Sequence, residues 1–205
     1  MPERLACLFY SAGSPYARIC RMAVLEAGLA DRVSEVETTL RDPEAAVLPF
    51  SPAGRVPALV LQDGTTLTET TLVLGWLDRM GGALRLLPTE PAALAAYGRV
   101  LGLLDGIAVW NRELRRPETE RSPGVLALEA DRAERLGDAL ERDVAAGGYA
   151  RLDAGWLALA ATLGYCMRRH AAWQWQPGRP ALGAWFAQAE RRDAFQVTMP
   201  PSNPL

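Results

Sequence analysis

Residues 5–28, LACLFYSAGSPYARICRMAVLEAG, decide the fold of this chain. The first six form a short apolar run, and the turn-forming residues after it favour a buried strand. A helix is predicted from Pro15 to Gly28, because Ser14 is a good N-cap, Pro15 suits the first helical position and Gly28 ends the pattern. The sequence therefore predicts a strand that leads directly into the N-terminus of a helix.

The next fifty residues complete a small sheet. The predicted elements are strands at 33–38, 56–61 and 66–68 and a helix at 69–80. Asp63-Gly64, between two β-prone runs, is a strong signal for a hairpin. The pair Gly81-Gly82 ends the last helix. The resulting order, β-α-β followed by β-β-α, predicts an α/β domain at residues 1–81.

Beyond this point the predicted elements are all helices, at 92–116, 126–146, 157–167 and 180–191. Residues 82–90 are interpreted as a linker, so an all-α domain is expected at 91–205. The helix at 92–116 carries two apolar stripes, and one would suffice for packing against one core. A second buried surface is therefore expected, either on the other domain or on a partner subunit.

Composition narrows the classes of partner. Lys and Arg number 22 and Asp and Glu number 24, giving a net charge of −2, so no excess of positive charge favours nucleic acid or an anionic membrane. The three cysteines form no CxxC or zinc spacing, which disfavours a metal site or a disulfide framework and suits a reducing compartment. No apolar stretch is expected to reach the ~20 residues of a membrane helix. A soluble, cytoplasmic protein without a metal is predicted.

Three segments carry a resemblance to a known family: SPYARICR at 14–21, SPAGRVP at 51–57 and LTET at 67–70. In this order and spacing they resemble the glutathione S-transferase superfamily, and the resemblance covers nearly the whole chain. It implies a thioredoxin-like N-terminal domain followed by an all-helical C-terminal domain. It also implies a homodimer that uses glutathione as co-substrate, with no other cofactor. Segments 163–165 and 180–185 resemble the C-terminal domain of bacterial members.

By this resemblance, Ser14 is the predicted catalytic residue. A free thiol has a pKa of about 8.5, and a hydroxyl that donates a hydrogen bond to sulfur favours the thiolate. The helix N-terminus adds amide donors and a favourable dipole. The alternatives are that Ser14 only caps the helix, or that Ser11 contacts the sulfur. Tyr10 is interpreted as a core residue, and Tyr16 lies two residues past the catalytic position.

The resemblance also implies a cis peptide bond at Val56-Pro57. The backbone of Val56 would then pair with the cysteinyl part of glutathione like an added strand. Arg55, just before it, is within reach of the glycine carboxylate of glutathione. The alternatives are an ordinary proline on an edge strand and a solvated arginine on the surface.

Glu69 and Thr70 are the predicted contacts for the γ-glutamyl end of glutathione. In similar proteins an acidic or amide residue followed by Ser begins the third helix, and the backbone amide and hydroxyl there bind the γ-glutamyl carboxylate. Thr70 replaces that Ser but keeps the hydroxyl, so binding is expected to survive. The alternative is a plain helix start with Thr68 as its cap.

The long helix of the second domain is expected to face the site. Asp105 is a candidate partner for the γ-glutamyl ammonium, from the same subunit or across a dimer interface. Trp110 is a candidate for the electrophile pocket, with Asn111 and Arg112 near it. The alternatives are a solvated carboxylate and a core tryptophan.

One further departure from similar proteins concerns the central helix of the second domain. Those proteins often begin it with a reciprocal capping box, whereas this chain has Asp153 and Trp156 at the matching positions. The helix is therefore expected to begin near Asp153 and to depend more on packing.

These observations predict a detoxifying transferase, in which the glutathione thiolate attacks a small hydrophobic electrophile. Because Ser14 has no thiol, covalent thiol–disulfide exchange at this position is disfavoured. One alternative is a non-catalytic, glutathione-binding or regulatory protein of the same fold. Another is a glutathione-dependent isomerase or dehalogenase, which uses the same sulfur activation but resembles Ser-Ser-Cys at this position.

Overall fold

A computed structural model of the protein describes residues 5–81 and 84–202. Its sheet contains β1 (Ala6–Tyr10), β2 (Val33–Glu37), β3 (Ala58–Leu61) and β4 (Thr66–Thr68). The strand order is β2-β1-β3-β4, with β1 and β2 parallel and the other two pairs antiparallel. A parallel pair needs a crossover connection, and an antiparallel pair can close through a tight turn. The helix after β1 and the Asp63-Gly64 turn supply these two connections, as predicted.

The helices are α1 (Pro15–Glu26), α2 (Thr70–Arg79), α3 (Pro91–Leu114), α4 (Pro123–Ala145), α5 (Ala154–Arg169), α6 (Pro180–Ala189) and α7 (Asp193–Val197). The fold class is thus the predicted one, a thioredoxin-like domain followed by helices. α4 begins three residues earlier than predicted, because the Ser122 hydroxyl accepts a hydrogen bond from the Val125 amide at 3.3 Å. A 3₁₀ turn at Glu118–Glu120 and α7 were not predicted. The domain boundaries at 81 and 91 stay a prediction, and residues 82 and 83 lie outside the described residues.

α1 lies between the sheet and the helical domain. Arg18 on this helix is buried and reaches across to the residues around α7. Its Nη2 donates to the Phe195 carbonyl at 2.8 Å, and its guanidinium lies 4.1 Å from the Phe195 ring. Its Nε donates to the Thr198 hydroxyl at 3.3 Å. Burial lowers the pKa of Arg18 to about 9, with the nearby charges of Arg168 and Arg21 acting in the same direction. These contacts hold α1 against the second domain.

α5 is the central helix of that domain. Every residue from Ala154 to Cys166 is buried. The helix begins as predicted, since the Asp153 carboxylate accepts hydrogen bonds from the Gly155 amide at 2.9 Å and the Trp156 amide at 3.1 Å. An acidic cap suits the positive end of the helix dipole.

α3 corrects one expectation from the sequence. Within the described residues it is the one helix whose length and composition alone would allow it to cross a membrane, with a mean hydropathy of 1.5. Its Leu, Val, Ile and Ala residues raise that mean, and Arg99 and Asp105 interrupt the apolar run. In the structure α3 packs against α4 and α5 and buries Val100, Leu103 and Ile107.

Candidate functional site

A cavity of about 520 Å³ opens between the two domains. Its first half is formed by the N-terminus of α1, the loop before β3 and the start of α2, and its second half by α3 and the end of α5. The lining residues that the sequence singled out are Ser11, Ser14, Tyr16, Arg55, Val56, Pro57, Thr68, Glu69, Thr70, Asp105, Asn111 and Arg112. Residues 100 positions apart in the chain therefore meet around one space.

Ser14 caps α1 and also faces this cavity. Its Oγ accepts a hydrogen bond from the Ala17 amide at 3.2 Å. Because a hydroxyl has one proton and two lone pairs, this bond leaves the Ser14 proton available for another acceptor. Ser11 lines the cavity too, and its carbonyl accepts from the Ser14 amide at 2.9 Å. Capping and sulfur binding are therefore compatible at Ser14.

The hydroxyl of Tyr16 and the ring of Tyr10 each contact another side chain. The Tyr16 hydroxyl donates to Asp105 Oδ1 at 2.5 Å. Burial raises the pKa of Tyr16, the hydrogen bond to Asp105 raises it further, and the charge of Arg112 opposes both effects. The ring of Tyr10 lies 3.8 Å below the Arg21 guanidinium. The only proton of the Tyr16 hydroxyl is thus held by a carboxylate.

The loop before β3 presents a cis peptide bond at Val56-Pro57, as the resemblance implied. Val56 is buried and Arg55 is exposed at the rim of the cavity. The Ser51 hydroxyl donates to the Arg55 carbonyl at 3.4 Å and so closes the loop on itself. The loop brings the Arg55 charge and the Val56 backbone to the same wall.

Glu69 has an unusual backbone conformation, with φ 68° and ψ 128°. A non-glycine residue in this region costs about 1–3 kcal/mol, and such residues cluster at binding sites. Glu69 is the N-cap of α2 but makes no side-chain capping bond, so its carboxylate remains free of the helix. Thr70 follows as the first helical residue and is buried. The strained residue turns the acidic side chain and the first amides of α2 towards one cavity.

The second half of the cavity comes from the helical domain. α3 contributes Asp105, Ala108, Asn111 and Arg112, Arg115 follows directly after its end, and α5 contributes Tyr165 and Arg169. Trp110, the predicted pocket residue, does not line the cavity. It is buried in the core, where its ring meets the edge of the His170 ring at 4.7 Å. One residue along the helix, at a different angle, Asn111 faces the cavity instead.

Asn111 also fixes the end of α5. Its Nδ2 donates to the Arg169 carbonyl at 2.9 Å and lies 3.4 Å from His170 Nδ1. The helix end that carries Arg169 is thereby held against α3. Sequence reasoning did not find Arg115, Tyr165 and Arg169. The available signal was spacing, because Arg112 and Arg115 on α3, and Tyr165 and Arg169 on α5, lie one turn apart.

The comparisons with known proteins agree with this arrangement of fold and cavity. Residues 13–80 match the family described as the N-terminal domain of glutathione S-transferase. Across 195 residues the chain is 27% identical to an uncharacterized GST-like protein, YibF, of Escherichia coli K12. That match covers 92% of this chain and 95% of the relative.

Two solved proteins share the whole architecture. A glutathione S-transferase from Methylobacillus flagellatus with glutathione bound has a TM-score of 0.87 and 26% identity, covering 95% of this chain and 99% of that one. A glutathione transferase family member from Pseudomonas fluorescens Pf-5 with bound glutathione has a TM-score of 0.88 and 27% identity, covering 96% and 99%. The latter has also been solved with bound S-(propanoic acid)-glutathione.

A thioredoxin-like domain whose first helix opens on a cavity shared with a helical domain defines a class of two-domain proteins. Together with the matched N-terminal domain, the GST-like relative and the two solved glutathione transferases, this architecture supports a place in the glutathione S-transferase superfamily.

Proposed function

We propose that this protein is a glutathione transferase. Glutathione would bind with its γ-glutamyl end at Glu69 and Thr70, its cysteinyl part along Val56-Pro57 and its sulfur beside Ser14. The observation that carries the proposal is the meeting of these three segments in one cavity. Relatives of 26% and 27% identity have been solved with glutathione bound, which supports the same ligand here.

The charges of the first half suit the two ends of this tripeptide. The Glu69 carboxylate would receive the γ-glutamyl ammonium, and the first amides of α2 with the Thr70 hydroxyl would bind the γ-glutamyl carboxylate. Arg55 at the rim would bind the glycine carboxylate. Asp105 lies in the same cavity and is available as a second partner for the ammonium, although it already accepts from Tyr16.

Ser14 would then activate the sulfur. Its proton is free to hydrogen-bond the thiolate, and the N-terminus of α1 adds a favourable dipole. In the reaction the sulfur forms a bond to an electrophilic carbon, the leaving group departs with its electron pair, and the thiol proton passes to solvent. Apolar surfaces of Tyr16, Ala108 and Tyr165 line the space for a small electrophile.

Titration calorimetry with glutathione tests the site directly. We expect saturable binding of one glutathione per chain. Thr70→Ala should weaken it by about tenfold or more, because a hydrogen bond to a charged group is worth about 1.5–3 kcal/mol. Thr70→Ser is the matched control, since it keeps the hydroxyl and should bind like the wild type. Absence of glutathione binding would contradict the proposal, and binding without turnover of any electrophile would favour a regulatory role.

We further propose that two copies associate through α3, in a cytoplasmic protein. Leu94, Leu101 and Val109 lie within an arc of about 80° around the axis of α3. Their side chains are half-exposed or exposed in the single chain. Leu72 on α2 and Leu128 on α4 are exposed as well. These exposed apolar side chains support burial of this side of α3 against a partner subunit, beside Asp105 and Arg112, which lie in the same arc and line the cavity.

A further inference from the structure

The second half of the cavity is strongly cationic, although the chain as a whole carries a net charge of −2. Arg112, Arg115 and Arg169 line it, and among the described residues there Asp105 is the single carboxylate. Arg112 and Asp105 both act on the Tyr16 phenol, so their charges offset each other locally. Arg115 and Arg169 make no ion pair within the described residues. Two positive charges are therefore left without a carboxylate partner.

Arg169 stands next to the predicted sulfur position. A Cβ atom added at Gly13 would lie 3.4 Å from both Cζ and Nη2 of Arg169, so the guanidinium covers the residue that precedes Ser14. Its Nε is buried and has no hydrogen-bond partner within the described residues. A buried donor without a partner costs free energy, and an arriving acceptor would recover it.

Arg115, directly after the end of α3, lines the same cavity. Burial raises the pKa of the Tyr165 phenol, and the charges of Arg115 and then Arg169 oppose that effect. Both charges therefore act on one phenol, and both arginines line the cavity, Arg115 from the end of α3 and Arg169 from α5. Guanidinium groups from two elements are suited to hold a planar carboxylate.

The carboxylates of glutathione do not bind Arg115 or Arg169 in the proposed function. In the proposed function its two carboxylates are bound at Arg55 and at the start of α2, in the other half of the cavity. Unpaired positive charge in a partly enclosed cleft attracts and concentrates anions. The charge of Arg115 and Arg169 is thus available to the second substrate.

We propose that the electrophile is an anion, and that Arg115 and Arg169 bind its carboxylate while its reacting carbon faces the sulfur. The inference rests on the proposed transferase function and deepens it. It replaces a merely hydrophobic electrophile by one that combines a small carbon skeleton with an acid group. Tyr165 and Ala108 contact the skeleton, and the arginines set its orientation.

A matched pair of probes tests the proposal: 4-chloro-3-nitrobenzoate and its neutral amide, 4-chloro-3-nitrobenzamide. With each, the glutathione sulfur bonds to the ring carbon that bears chlorine, chloride leaves with the bonding electrons, and the thiol proton goes to solvent. Each kcat/KM is divided by the uncatalysed rate constant of that compound, which removes the difference in intrinsic reactivity. We expect the wild type to favour the benzoate by at least about tenfold.

Substitutions of the two arginines test whether these residues cause the preference for the benzoate. Arg115→Gln and Arg169→Gln should each lower kcat/KM for the benzoate by about tenfold, with less than about a threefold change for the amide. Arg116→Gln is the control, because Arg116 pairs with Glu113 and Glu120 and does not line the cavity. The Arg116→Gln variant should leave kcat/KM unchanged for both the benzoate and the amide.

Two results would overturn the proposal. One is an equal normalised rate for the two probes in the wild type. The other is a loss of glutathione affinity in Arg115→Gln and Arg169→Gln, measured by calorimetry, because the pair would then belong to the glutathione site.

If neither probe is turned over, binding tests the anion site separately from the transferase proposal. The glutathione conjugates of the two probes are then titrated into the protein. Tighter binding of the carboxylate conjugate, lost in Arg169→Gln, would support the anion site, and equal binding would contradict it.

Discussion

Ser14 caps α1 through its hydroxyl, and the same hydroxyl is the proposed partner of the glutathione sulfur. We expect Ser14→Ala to lower kcat for conjugation by roughly 10- to 100-fold, because the thiolate loses a charge-assisted hydrogen bond. The affinity for glutathione should change by less than about threefold. Loss of the N-cap should also cost about 1 kcal/mol of stability. The measurement is steady-state kinetics together with urea unfolding.

Ser11→Ala is the control for this variant, since Ser11 lines the same cavity and contacts Ser14 only through its carbonyl. It should retain kcat. Should Ser11→Ala lose activity while Ser14→Ala keeps it, the sulfur contact would belong to Ser11.

His170 makes the free energy of unfolding depend on pH. It is fully buried, and burial lowers its pKa to about 4, against about 6.5 for an exposed histidine. Between these two values the unfolded chain binds more protons than the folded protein, so stability falls as the pH falls. Over the interval from pH 7 to pH 5 the loss due to this group should be about 2 kcal/mol.

His170→Gln removes this contribution, since His170 is the only histidine in the chain. The variant should be less stable at pH 7 but should lose about 2 kcal/mol less than the wild type between pH 7 and pH 5. Urea unfolding at both pH values gives the comparison. Parallel pH profiles for the two proteins would show that His170 is protonated equally in both states.

The proposed glutathione half of the cavity could be predicted from the sequence, and the other half could not. Ser14, Pro57 and Thr70 each lie within a short segment whose local pattern is informative, and the structure places all three in one cavity. Their roles stay predictions. Arg115 and Arg169 lie on separate helices 54 positions apart, and only the packing of α3 on α5 brings them together. Apart from their one-turn spacing from Arg112 and Tyr165, nothing local distinguishes them from solvated arginines.

At the scale of elements, the contact between α5 and α1 depends on Gly164. A Cβ atom added there would lie 2.7 Å from Arg18 Nη1 and 2.8 Å from Phe195 Cζ. Both neighbours are buried, so neither can move away freely. We expect Gly164→Ala to destabilise the protein by about 1–3 kcal/mol through overpacking. Thermal or urea unfolding measures the change.

Gly183→Ala on α6 is a matched control, because nothing lies within 4 Å of a Cβ added there. In an open helical position alanine should stabilise by about 0.5–1 kcal/mol. Equal effects of the two substitutions would contradict the close packing of α5 on α1.

Elements were predictable where their ends have local signals. β1, α1 and the Asp63-Gly64 hairpin combine a clear apolar pattern with a cap or a turn residue, and the structure confirms them. α7 has five residues and no side-chain cap, so its helical form depends on burial of Ala194 and Phe195 against the rest of the protein. The mean hydropathy of α3 was not foreseen from the sequence, because Arg99 and Asp105 interrupt its apolar residues.

At the scale of the whole molecule, the exposed face of α3 predicts a dimer. A charge placed there should oppose association, because burying an unpaired carboxylate is costly. We expect Val109→Glu to shift the mass in light scattering from two chains to one at micromolar concentration. Val197→Glu is the control, since Val197 is exposed on α7 rather than α3 and should leave the dimer intact. A wild-type protein that is already monomeric would contradict the proposed association.

Arg18 ties the first domain to residues that follow it by almost 180 positions. During synthesis on the ribosome, α1 forms long before Phe195 and Thr198 have been added. Until then its guanidinium must stay hydrated, and α1 cannot settle fully against the second domain. The proposed glutathione site at the N-terminus of this helix would therefore form late in translation, and a nascent chain stalled before residue 195 should bind glutathione poorly.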